Sequence, residues 1–164
     1  MAKRVRTQAM RALDAHKVTY KVHIFPDTIH NAEEVAGQIG LPPEQVFKTL
    51  VVLRENEPNA HALLVMVPAN HELDLRHFAQ QIAVKSVRMA GHDQAEKLTG
   101  LKVGGISALA LLNRPFDVYL DDSATHFDEI AISAGQRGVN LQLKVSSIIE
   151  LTGAQVVSVT TAKK

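Results

Sequence analysis

Val46-Phe47-Lys48-Thr49-Leu50-Val51-Val52-Leu53 is apolar apart from Lys48 and Thr49, and it reads as a buried β-strand. In an extended chain, side chains alternate between faces. Lys48 therefore points with Val46, Leu50 and Val52, while Phe47, Thr49, Val51 and Leu53 point the other way. With both faces mainly apolar, the run suggests an interior strand, where an ammonium group is costly unless it is paired, reaches water or lines a cleft that takes an anion. From this strand alone Lys48 could simply snorkel to solvent near the strand end. The polar stretch Arg54–Asn59 reads as a turn, and Ala62-Leu63-Leu64-Val65-Met66-Val67 as a second apolar strand. The two make an antiparallel hairpin with Lys48 near its open end.

On the N-terminal side, Val5, Ala9, Ala12 and Leu13 recur at helical spacing, which predicts an amphipathic helix over residues 4–16. Val18, Tyr20, Val22 and Ile24 alternate with polar residues as in a half-buried strand. Asn31 followed by Glu34 approximates a capping box for a helix that Gly40 closes, and Leu41-Pro42-Pro43 forbids its continuation.

On the C-terminal side the pattern predicts a helix over 73–83, a short strand at 84–89 and a helix over 93–98 stopped by Gly100. An apolar stretch broken by Gly104-Gly105 follows, then a strand over 116–121. Residues 129–134 and 139–145 form a second hairpin around Gly135-Gln136-Arg137-Gly138. A brief helix capped by Ser147 and Glu150 ends at Gly153 before a last strand at 156–159. Strands outnumber helices and hairpins outnumber crossovers. The fold class expected is α+β, a single domain over residues 1–164 with a mixed, largely antiparallel sheet flanked by short helices.

Composition narrows the function classes. With 18 Lys+Arg against 17 Asp+Glu the net charge is +1, which gives no global field of the sort a general nucleic-acid binder carries. Any polyanion must be met locally, and Lys3, Arg4, Arg6, Arg11, Lys17 and Lys21 crowd the N-terminal region, as a phosphate contact or a solvated helix face. Cysteine is absent, which removes thiol catalysis and thiolate metal sites. Aromatic content of 4% with no Trp argues against a stacking platform for single strands. No apolar segment follows the basic start and no run approaches a membrane span, so a cytoplasmic location without membrane association is expected.

Catalytic motifs are mostly missing. The eight histidines show no chelating spacing, His71/His77 and His23/His30 included, so no metal is expected. Gly105-x-Ser107-x-Leu109 lacks the second glycine of a nucleophile elbow, and Gly104-Gly105 lacks the Lys and Ser/Thr of a phosphate-binding loop. What remains is a set that could share one cleft: Lys48, the Gly104-Gly105-Ile106-Ser107 loop, Asp121 at a strand end, and the Ser133-Ala134-Gly135 turn with Arg137.

Val46–Val52, Val103-Gly104-Gly105-Ile106-Ser107 and Ile132-Ser133-Ala134-Gly135-Gln136-Arg137-Gly138 together resemble the three signature blocks of the YbaK family, free-standing relatives of the editing domain inserted in bacterial prolyl-tRNA synthetase. The likeness runs in order from about residue 10 to 157. It implies that family's editing-domain fold and a trans-editing hydrolase, free of cofactors, that removes a wrong amino acid from tRNA. The substrate most directly implied is Cys-tRNA(Pro), with Ala-tRNA(Pro), another small aminoacyl-tRNA, or a non-catalytic aminoacyl-nucleotide binding module as alternatives. The partners implied are a mischarged tRNA acceptor end and prolyl-tRNA synthetase, since so small a domain offers little surface for tRNA identity.

On the same resemblance, Lys48 is the catalytic cation that holds the terminal phosphate or polarises the ester. Gly105 is catalytic with it, and Gly104, Gly105 and Ser107 set backbone N–H groups around the scissile carbonyl. Phe25, Thr49, Asp121, Ser133 and Gly135 complete the substrate-binding set. Attack comes from water, with or without the vicinal ribose hydroxyl, or from a substrate thiol. The family's usual proline and glycine in the loop are here Ala108 and Ala110. Phe25 lacks a hydroxyl that some members place there, Ala134 replaces a glycine, and Asn140 stands where some relatives carry an acid. Such changes bear on which amino acid is removed.

Overall fold

The computed structural model describes residues 6–29 and 31–160. The hairpin anticipated around Lys48 is its centre. Strand β2 (Phe47–Arg54) pairs antiparallel with β3 (Leu63–Pro68), with Lys48 opposite Val67 and Phe47 opposite Pro68 at the open end. Around it a five-stranded sheet runs in the order β4 (Val87–Met89), β2, β3, β5 (Asp117–Asp121), β8 (Gln155–Val157). β5 joins β3, and β8 joins β5, in parallel, so this sheet is mixed as expected. The remaining strands, β1 (Lys21–Ile24), β7 (Val139–Lys144) and β6 (Glu129–Ser133), form a separate antiparallel sheet in that order. Among the described residues the chain builds two sheets, linked by a parallel bridge between Val46 and Ala131.

Alternation along β2 sorts the core. Phe47 and Val51 face a large cluster lying between the sheets, with Leu64, Met66 and Leu120 from one side and Ile130, Ile132, Leu141 and Leu143 from the other. Helix α1 (Gln8–Ala15) closes this cluster with Ala9, Met10 and Leu13, and α5 (Val145–Thr152) adds Ile148. On the opposite face Val52, Val65 and Val67 pack under α3 (Leu75–Gln81), where Phe78 meets Tyr119 edge-on at 5.2 Å between ring centroids. Helix α2 (Ala32–Ile39) sits over the bridge, burying Val35 and Ala36 against Val46, Ala69 and Ala131. Burial of this extent supplies the main folding free energy, at about 25 cal/mol per Å² of apolar surface.

The helix signals are satisfied locally. Asn31 Oδ1 accepts from the N–H groups of Glu33 and Glu34, and Gly40 ends α2 in a left-handed conformation. Helix α4 (His92–Thr99) stops at Gly100 in the same way. Of the residues expected in the first helix, Val5 and the residue before it lie outside the described residues, as do Lys3 and Arg4 of the basic cluster. Arg6 of that cluster is engaged by Asp14 at 2.6 Å.

Two expectations need correction. The alternation over residues 18–24 implied buried Val22 and Ile24, yet β1 is an edge strand in which they are 40% and 67% exposed. Only Val18 and Tyr20, ahead of the strand, pack on the core. The last helix begins at Val145, not at Ser147. Strand β7 runs straight into it, with Val145 N–H donating to Asp128 O, so Ser147 is an interior residue and no side chain caps the helix.

Candidate active site

Strand β2 crosses from one sheet to the other, and the site lies where it does so. At Val46 its outer edge touches β6, and from Val52 onward that edge pairs with β4. Between those points no strand among the described residues covers it, and a cavity of about 540 Å³ occupies the gap. Its walls include Lys48, Thr49 and Leu50 of β2, the Ala69–Glu72 turn after β3, Asn31–Glu33 at the start of α2, His92 of α4, Val103, Gly104 and Ile106 of the glycine loop, and Ser133 and Asn140 of the second hairpin. A volume in this range suits a small ligand or the end of a larger one.

Lys48 is half-buried, and its Nζ reaches Ala69 O at 3.5 Å across the open end of the hairpin. That places the ammonium beside the turn that carries Asn70 and His71. Thr49 Oγ1, Asn70 Oδ1 and His71 Nδ1, which belong to residues lining this cavity, are buried and have no hydrogen-bond partner among the described residues. The amide of Asn70 has a definite orientation. Its Nδ2 donates to Glu44 Oε1 at 2.9 Å, which leaves Oδ1 as the acceptor without a donor. Buried polar atoms left unpaired are costly, so this wall favours a ligand with hydrogen-bonding groups.

The glycine loop forms the facing wall. Gly104 adopts φ +92°, a conformation that disfavours any residue with a side chain. At Gly105 an added Cβ would fall 2.8 Å from both Arg137 N and Gln136 C, so the loop packs backbone to backbone on the turn of the second hairpin. The peptides flanking Val103 are held from both sides: Val103 N–H donates to Glu96 Oε2 at 2.8 Å, and Arg137 Nε donates to Val103 O at 2.7 Å. The Val103 N–H holds the Glu96 carboxyl below the usual carboxylate range, with His92, Lys102 and Arg137 adding to the effect against desolvation. Gly105 N–H is spent on Lys102 O, whereas the N–H groups of Gly104 and Ile106 have no acceptor among the described residues.

Of the residues singled out from sequence, Lys48, Thr49, Gly104 and Ser133 line the cavity together. Gly105 stands directly behind that wall. Gly135, two residues after Ser133, adopts φ +100°, and its N–H donates to Ser133 Oγ at 3.1 Å, holding the hydroxyl at the cavity edge. Three others lie outside the lining. Phe25 packs with the α2 cluster, and its N–H donates to Gly138 O. Ser107 is fully buried, and its hydroxyl has no partner among the described residues. Asp121, 2% exposed, accepts from Val159 N–H at 2.9 Å and from the N–H and hydroxyl of Ser123.

Sequence reasoning passed over Asn70, over His71 except as a rejected chelator, and over Glu96. The first two sit in a polar turn with no motif, and only the paired strands bring them to Lys48. Glu96 gave no local signal either, since its partner lies across the helix end. Among the described residues no cluster of three or more His, Asp or Glu side chains is placed to hold a metal ion, and no helix is long and apolar enough to cross a membrane.

Residues 26–151, which carry all of this machinery except Phe25, match the family model for the aminoacyl-tRNA editing domain. The chain belongs to that family. Across 158 residues it is 34% identical to a protein of Enterococcus faecalis, EbsC, provisionally named a Cys-tRNA(Pro)/Cys-tRNA(Cys) deacylase; the match takes in 95% of this chain and 94% of that one. Among solved structures, one described provisionally as a trans-editing enzyme for prolyl-tRNA synthetase is similar at a TM-score of 0.80 and 26% identity, covering 97% of this chain and all of the other. The hypothetical protein APE2540 shares the fold at a TM-score of 0.84 and 23% identity over 94% of this chain and 99% of its own. The editing-domain fold and the family expected from the three sequence blocks are therefore the ones found.

Proposed function

We propose that the protein is a free-standing aminoacyl-tRNA deacylase, one editing domain over its whole length, that acts on mischarged tRNA after release from the synthetase, with Cys-tRNA(Pro) as its principal substrate. The observation that carries this reading is the juxtaposition, around one cavity of about 540 Å³, of a lysine ammonium with backbone N–H groups and polar side-chain atoms that have no partner among the described residues. The name of the Enterococcus relative, similar over nearly the full length, supports the choice of substrate.

In this reading the ester carbonyl of the aminoacyl end lies against the glycine loop. Charge develops on its oxygen as the tetrahedral intermediate forms, and the Gly104 and Ile106 N–H groups stabilise it. Lys48 holds the terminal phosphate or the ester oxygens, with an effect larger than in water because its half-buried ammonium sits in a partly enclosed cavity. Thr49, Asn70 and His71 bind polar groups of the terminal nucleoside or the amino acid, and Ser133 and Asn140 face the amino-acid side chain. No cysteine or triad is needed, since the nucleophile is water or a thiol carried by the substrate. A prolyl-tRNA synthetase partner and a cytoplasmic location fit the same role.

The test is a panel of Cys-, Ala- and Ser-tRNA(Pro) incubated with wild type and Lys48→Ala. Faster loss of cysteine than of alanine from wild-type reactions supports thiol assistance, whereas equal rates favour attack by water. Rates equal to buffer on every member, with saturable binding of a stable aminoacyl-adenosine analogue, would instead select a binding module.

A further inference from the structure

We propose that Arg137 and Glu96 are positioning residues that clamp the two peptides around Val103, and that Arg137 in addition polarises the Val103–Gly104 peptide so that its N–H serves as an oxyanion donor. The inference rests on the deacylase reading above and extends it to two side chains that need not touch the substrate.

Val103 O and Gly104 N–H belong to one planar trans amide, so fixing the oxygen fixes the direction of the N–H. Arg137 Nε donates to that oxygen at 2.7 Å, and Gly104 N–H is left without an acceptor among the described residues while Gly104 lines the cavity. A charge-assisted hydrogen bond to the carbonyl draws electron density from the amide nitrogen, which makes the N–H a stronger donor. The guanidinium thus acts through a peptide bond on a group it does not touch.

Glu96 secures the preceding peptide. Its Oε2 accepts from Val103 N–H at 2.8 Å, so Val103 is gripped on both sides by charged groups from different elements, α4 and the turn of the second hairpin. Gly105 packs its backbone closely on that of Gln136 and Arg137, which adds a third contact between the loop and the same turn. Gly104, whose positive φ allows many alternatives, is thereby confined to one of them.

The experiment compares Arg137→Ala, Arg137→Lys, Glu96→Ala and Glu96→Gln with wild type in single-turnover and steady-state deacylation of the best substrate on the mischarged panel. The first variant should lose about 10- to 100-fold in kcat, less than the ~10²–10³ that follows outright removal of an oxyanion donor, with KM changed by less than about threefold, as for an interaction made mainly in the transition state. Added guanidinium ion at low millimolar concentration should restore part of that loss. Glu96→Gln, which keeps an acceptor oxygen, should stay near wild type, while Glu96→Ala should fall with Arg137→Ala. A rise in KM alone, with a salt dependence shallower than that of wild type, would place Arg137 on the tRNA phosphates and overturn the proposal, as would unchanged kcat in Arg137→Ala. Should wild type itself fail on the whole panel, the amide resonance of Gly104 decides: a shift in Arg137→Ala without tRNA supports the clamp, and an unmoved resonance refutes it.

Discussion

Gly105→Ala probes the packing of the glycine loop with a single methyl group. Gly105 does not use a positive φ, so the substitution adds no backbone strain and acts through space alone. The new Cβ would meet Arg137 N and Gln136 C at 2.8 Å, more than half an ångström short of the 3.4 Å at which ordinary contact begins. Both obstacles are backbone atoms of the turn that carries Arg137, so neither can swing aside as a side-chain tip could. Loop and turn must separate by roughly that shortfall, an overpacking cost of about 1–3 kcal/mol. For a chain of this length that corresponds to a melting temperature lower by about 2–4 °C for each kcal/mol. The same displacement carries Gly104 N–H away from the substrate carbonyl. Since a misplacement of about 1 Å can cost ~10²-fold in rate, turnover of mischarged tRNA should fall by roughly 10- to 100-fold in protein that is still folded. Calorimetry and single-turnover deacylation on one preparation measure both effects. A variant with wild-type melting temperature and wild-type kcat would refute the claim that this contact sets the loop.

Thr49→Val removes a hydroxyl that has no partner among the described residues, so thermal stability should be unchanged or slightly higher while KM for the aminoacyl-tRNA rises several-fold; unchanged KM in deacylation assays would show that the hydroxyl does not meet the substrate. Asp121→Ala strips Val159 N–H and Ser123 of their acceptor, and a loss of about 1.5–3 kcal/mol in denaturant unfolding is expected with kcat in the folded fraction near wild type; a selective loss of kcat/KM would instead support the substrate-binding role that the family resemblance implies for Asp121. The Glu96 carboxyl is held below its ordinary 4.5, so its contribution to stability is present above that value and lost as pH falls through the lower, folded-state value. Acid titrations of wild type and Glu96→Gln should therefore coincide in shape above about pH 5 and diverge below 4.5, only wild type losing this component; parallel curves throughout would contradict the tie to Val103.

How much of this was legible in the sequence depends on the range of the contacts involved. Alternation around Lys48 and over Ala62–Val67 announced the central hairpin because strand period and a polar turn are local properties. The same rule misled at Val22 and Ile24: alternation shows which residues share a face, but not whether a neighbouring element covers that face. The division into two sheets was equally hidden, since it rests on a bridge between Val46 and Ala131, far apart in sequence. Within the site, Lys48 stood out as a charge in an apolar run and Gly104-Gly105 as a break in another. Asn70 and His71 carried no such contrast, because polar residues after a strand are ordinary turn chemistry. Arg137 could be seen beside the Ser133 turn, but its hydrogen bond to Val103 O is a tertiary contact that no spacing rule reveals.

The central claim is that Lys48, held at the open end of the hairpin, provides the fixed positive charge on which ester cleavage at this cavity depends. Removing it should leave the fold intact, since its side chain is only half-buried and its bond to Ala69 O is long at 3.5 Å. The most direct measurement is single-turnover hydrolysis of Cys-tRNA(Pro) by wild type and Lys48→Ala, with circular dichroism and melting curves on the same samples. The account predicts clear turnover by wild type and hydrolysis at the buffer rate by a fully folded Lys48→Ala. A folded variant that cleaves the ester at the wild-type rate would contradict it.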